Sequence, residues 1–134
     1  MFDEIAGLLR KTAGIADVLR DAICALGESV TLAFIYGSIA SGTETSRSDI
    51  DVMVLGTAGF GDVALALAQA QSVLGREINP TPMAVAEFEE KLKNGDGFAT
   101  AIAAGAKIWL KGDEHDLAEL AAHRKTQGAR RHRA

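Results

Sequence analysis

Two groups of residues in this chain have the types and the spacing to do chemistry. The first is Asp49 and Asp51, at the head of the apolar run Ile50-Asp51-Val52-Met53-Val54-Leu55. That run is short and rich in β-formers, so it reads as a strand, and residues at i and i+2 on a strand project to one face. Two carboxylates aimed together repel each other and lose hydration, and a bound dication relieves both problems. Hard oxygen ligands suit Mg2+ or Mn2+, which take one or two protein carboxylates together with phosphate oxygens and water. The second group is Gly37-Ser38, where an earlier apolar run, Val30 to Tyr36, stops and a short helix over Ser38 to Ser41 begins. A strand running into a helix offers backbone N–H groups without intrahelical partners, and glycine lets an anion approach them. Each signal has a plain alternative: Asp49 capping a loop with Asp51 in solvent, and Ser38 as an ordinary helix cap. Together they place anion donors and metal ligands around one ligand, a metal-bound triphosphate.

The elements that must position these groups follow from periodicity. Apolar residues at three- and four-residue steps predict helix from Met1 to Leu26, divided near Gly14 and closed by Gly27. Strands are expected over Val30–Tyr36, Ile50–Leu55, Glu77–Thr81 and Lys107–Leu110, with Pro80 and Pro82 ending the third. Helices are expected over Asp62–Leu74, Ala84–Lys93, Gly97–Ala104 and Glu114–Ala122. Strands alternating with helices indicate an α/β (α+β) fold, a small mixed sheet of about four strands with helices packed on it. Phe88, Leu92 and Phe98 keep helical core spacing, Trp109 reads as core, and Cys24 reads as a small hydrophobe in an apolar stretch.

The 134 residues suit one domain, 1–134, with a helical segment at 1–27 and a basic tail at 124–134. A formal net charge of −4 argues against a general nucleic-acid binder. The basic tail reads as a solvated terminus. One cysteine excludes an internal disulfide and a cysteine-rich metal site. His115, His123 and His132 are scattered and form no ligand set. No signal peptide and no membrane span is legible, so a cytoplasmic location is expected.

The segment Tyr36-Gly37-Ser38-Ile39-Ala40-Ser41-Gly42, followed by Ser48-Asp49-Ile50-Asp51-Val52, resembles the DNA polymerase beta-like nucleotidyltransferase superfamily in its minimal, antitoxin-like form. The resemblance implies a nucleotidyltransferase fold. It also implies transfer of a nucleoside monophosphate, AMP above all, from a nucleoside triphosphate such as ATP to an acceptor hydroxyl, with Mg2+ or Mn2+. It implies that Gly37, Ser38 and Ser48 bind the nucleotide and that Asp49 and Asp51 hold metal. A third acid on a following strand completes such sites, and here Glu77 is the candidate ligand and base. Two departures stand out. Ser41 replaces the basic residue many relatives carry before the glycine, a contact Arg47 or Arg76 would have to supply, and Glu77 is longer than the usual aspartate. A helical HEPN-type protein, modified by the transferase in toxin–antitoxin pairs, is the implied partner, and a homodimer is the other assembly considered. Two alternatives remain open: a nucleotide- or partner-binding module without turnover, and a small-molecule transferase acting on an antibiotic.

Overall fold

A computed structural model describes residues 14–42 and 49–119. The first helix, α1, is described over residues 14–24, and the remainder of the expected N-terminal helix lies outside the described residues. Gly27, at φ 61°, closes this segment as expected and opens a single 3-10 turn to Ser29. There follow β1 (Val30–Tyr36), α2 (Ser38–Ser41), β2 (Ile50–Gly56), α3 (Phe60–Leu74), β3 (Ile78–Met83), α4 (Val85–Lys93), α5 (Gly97–Ala104) and β4 (Ile108–Lys111). A last helix, α6, is described over residues 114–119.

The strands form one mixed sheet in the order β3-β2-β1-β4. β1 lies antiparallel to both β2 and β4, while β2 and β3 run parallel through the α3 crossover. Strand alternation divides the side chains between two faces. Ala33, Ile35, Val52, Val54 and Ile78 pack beneath α1 and α3, where Leu19, Ile23, Val63 and Leu67 are buried. Leu32, Phe34, Met53 and Leu55 turn the other way and pack on Phe88 of α4, Ala99 and Ile102 of α5, and Leu117 of α6. Arg20 donates from Nη2 to the Trp109 carbonyl at 3.0 Å, tying α1 to β4.

The third strand does not end at its prolines; it runs through both, to Met83. In the parallel register Ile50 pairs with Ile78, and the Ile50 N–H donates to the Glu77 carbonyl at 2.9 Å. The N–H groups of residues 79, 81 and 83 therefore face β2, and those of 78, 80 and 82 face the open edge. Ile78 N–H is satisfied there by Gln71 Oε1 at 3.0 Å, while Pro80 and Pro82 have no N–H to leave unpaired. The prolines thus block an exposed sheet edge without breaking the ladder.

Two other expectations fail. Cys24 is exposed, because it ends the described helix on the face turned from the sheet. Phe98 is 47% exposed, whereas Phe88 is fully buried as expected. The two lie on different helices, and Gly95 at φ 72° between them resets the phase. Trp109 packs on Phe34 with ring centroids 4.9 Å apart, as a core residue would.

Candidate functional site

The site lies where β1 ends and β2 begins, two adjacent antiparallel strands, so the two groups of chemical residues meet at one end of the sheet. Gly37 sits at φ 77° and ψ −149°, a region open essentially to glycine alone. This turn carries the chain from β1 into α2. Ser41 N–H donates to the Gly37 carbonyl at 3.0 Å, the first bond of the helix. The amides of Ser38, Ile39 and Ala40 precede that bond and have no intrahelical acceptor. Gly42, in the left-handed region at φ 79°, ends the helix.

Asp51 pairs with Tyr36 on one side and Asn79 on the other, so all three share the face of the sheet that α4, α5 and α6 cover only in part. Its carboxylate lies directly against Gly37: a Cβ built on that glycine would stand 2.6 Å from Asp51 Oδ2. Any side chain at residue 37 would displace the carboxylate, which gives the glycine a second physical reason beyond its backbone angles. Partial burial raises the Asp51 pKa above its usual value, the negative charge of Asp49 raises it further, and a hydrogen bond from the Asn79 side chain opposes both. Asn79 also donates from Nδ2 to Asp49 Oδ2 at 3.1 Å. One amide therefore bridges the two carboxylates and holds them on one side of the strand.

Tyr36 closes the inner wall. Its hydroxyl shares a 3.0 Å hydrogen bond with Thr81 Oγ1. Burial lifts its pKa, the Thr81 bond opposes the rise, and the Asp51 charge adds to it.

The structure brings Gly37, Ser38, Asp49 and Asp51 together. Glu77 sits just before β3 with an exposed side chain, while its carbonyl extends the ladder to Ile50. Among the described residues no group of three or more His, Cys, Asp and Glu gathers as a metal-ligand set. Ser48 and Arg47 lie outside the described residues. Asn79, Tyr36 and Thr81 are site residues that sequence reasoning missed. The Asn79 signal was its place two residues beyond Glu77, where strand alternation puts it on the same face.

The donor set fits a hard dication. Asp51, whose partial burial and the neighbouring Asp49 charge disfavour its ionisation, gains from a positive charge, and Mg2+ commonly draws its remaining ligands from phosphate and water. Gly37, which leads into α2, lies against Asp51.

An α/β sheet thus carries a glycine turn and paired acids at one end. Residues 16–110 match the model of the nucleotidyltransferase domain family, and the chain belongs to that family. Comparison with curated proteins yields no match. Solved structures with the same fold include a toxin–antitoxin complex with AMP-PNP, at TM-score 0.56 and 16% identity over 87% of each chain. Another is a mutant MntA–HpeT toxin–antitoxin complex, at TM-score 0.53 and 18% identity over 90% of this chain and 87% of that one. The comparison also aligns this chain, at TM-score 0.49 and 18% identity, with a structure of the tri-AMPylated HEPN toxin of Shewanella oneidensis in complex with MNT antitoxin, over 93% of this chain and 87% of that one. Among the described residues no helix is long and apolar enough to cross a membrane.

Proposed function

We propose that the protein is a metal-dependent nucleotidyltransferase that moves a nucleoside monophosphate, AMP from ATP, to an acceptor hydroxyl on a protein partner in the cytoplasm. The observation that supports this most is the seating of Asp51 against Gly37, because it joins the acid pair to the phosphate turn. Amides of Ser38 and its neighbours hold the β- and γ-phosphates, and Ser48 adds a hydroxyl donor. Asp49 and Asp51 are the metal ligands, and the Asn79 side chain hydrogen-bonds to both. Mg2+ or Mn2+, when bound, neutralises charge on the attacking and leaving oxygens of an in-line displacement. Glu77, the exposed acid one position before β3, would join Asp49 and Asp51 as third ligand only when metal draws it in, since the three do not gather without it, and would take the proton of the acceptor hydroxyl. The acceptor oxygen bonds to the α-phosphorus, the bond to the β-phosphate breaks, and pyrophosphate leaves. The partner is a helical HEPN-type protein rather than a second copy of this chain. This follows the toxin–antitoxin setting of the structural neighbours and the antitoxin-like form of the motif.

One observation favours a second reading, nucleotide binding without turnover: the residue on β3 opposite Asp51 is the amide Asn79, not an acid. Incubation with α-labelled ATP, Mg2+ and cell lysate separates the two. Transfer predicts label on a protein acceptor with release of pyrophosphate, reduced about 100- to 1,000-fold in Asp51→Asn and in Glu77→Gln. Tight binding of Mg2+·ATP with no pyrophosphate released selects the binding module instead.

A further inference from the structure

The apolar side chains left in water divide into two sets. Phe60, Leu65 and Val73 belong to α3, whose buried residues pack on the sheet face turned away from the acids. Phe98 stands apart from them, on the face that carries Asp51. The Asp96 carboxylate caps α5 by accepting from the Ala99 N–H at 2.9 Å, which fixes the turn that presents Phe98. In the turn before it, a Cβ built on Gly95 or on Gly97 meets nothing within 4 Å. The ring is 47% exposed.

Phe98 is also tied to the site. Its ring meets that of Tyr36 nearly at right angles, with centroids 6.2 Å apart and planes at 84°. Tyr36 is the register partner of Asp51, and its hydroxyl is anchored on Thr81. The open Phe98 ring therefore stands one ring contact from the residue that pairs with Asp51 across the strands. A nucleoside triphosphate whose phosphates lie at Gly37 and Asp51 carries its base at the far end of the ribose, at this order of distance.

We propose that Phe98 is the platform on which the nucleobase of the bound nucleoside triphosphate stacks. The inference rests on the nucleotide reading of the Asp49–Asp51 site. Stacking on a phenyl ring accepts every base, since each has a π-face, and favours the larger purines. This subsite therefore supplies affinity for ATP and GTP over CTP and UTP without hydrogen-bonded readout.

Calorimetric titration with Mg2+·ATP and with Mg2+·tripolyphosphate, which has the phosphates but no base, tests it on the full chain. Phe98→Ala should weaken ATP binding about tenfold and leave tripolyphosphate binding and the melting temperature unchanged, while Phe98→Tyr should bind ATP as the native protein does. Unaltered ATP affinity in Phe98→Ala overturns the stacking role and leaves the phosphate site standing. Loss of both ligands in that variant also overturns it, by making Phe98 structural. A native protein that binds neither ligand overturns the nucleotide reading and this inference with it.

Discussion

The two faces of the sheet are built from the same strands to opposite ends. On the face beneath α1 and α3, β1 and β2 present Ala33, Ile35, Val52 and Val54, all at most 1% exposed, and no polar side chain is buried among them. On the opposite face the same strands carry Phe34 and Met53, equally buried, and change character toward the α2 end, where Tyr36 and Asp51 stand beside Asn79 and Thr81. One residue's shift along a strand separates a hydrophobic contact from a carboxylate. The closed face supplies the free energy that holds the strands, and the open end uses that rigidity to keep repelling groups together. Asp51 shows the consequence, for its carboxyl is harder to ionise than an ordinary one.

The comparison can be broken from either side. Ile35→Ala removes a fully buried side chain from the closed face and should lower unfolding free energy by about 2–5 kcal/mol. Mg2+·ATP affinity of the folded fraction should stay unchanged. Denaturant titration and calorimetry measure the two, and a loss of affinity at full folding would show that the faces are not separable. Gly37→Ala acts at the open end. Its backbone angles cost a residue with a Cβ about 1–3 kcal/mol, and the new methyl collides with Asp51 Oδ2. Nucleotide binding should fall further than stability does, whereas in Ile35→Ala the order is reversed.

The smallest expected effect is a pH dependence. A carboxyl with a raised folded pKa favours the folded state only while protonated, below the ordinary value of 3.8. That contribution is lost as pH rises through the folded pKa, and at neutral pH the ionised Asp51 opposes folding. Without metal, Asp51→Asn should therefore melt above the native protein at pH 7, with the difference shrinking toward pH 4. A difference that grows on acidification would contradict the burial and charge assigned to this carboxyl.

Much of this was legible locally. Gly37, Ser38 and the Asp49–Asp51 pair announce a turn and a shared face through nearest-neighbour geometry, which is why the site's centre and the strands on either side are readable from the chain. What was illegible depends on partners far along it. Pro80 and Pro82 read as terminators, yet they lie within a strand, because only the register with β2 shows that their missing N–H groups face the edge. Asn79 gains its role solely from lying opposite Asp51 in that register. Phe98 seemed to continue the spacing of Phe88, but the turn at Gly95 starts a new helix with its own phase.

One pocket must hold the acid pair, the glycine turn and a nucleotide at once. Paramagnetic broadening of amide NMR signals by Mn2+·ATP tests this most directly. The signals of residues 37, 38, 49, 51 and 79 should be bleached first and should be spared in the Asp49→Asn, Asp51→Asn double variant. Broadening centred on any other part of the chain, or unchanged in that variant, would contradict it.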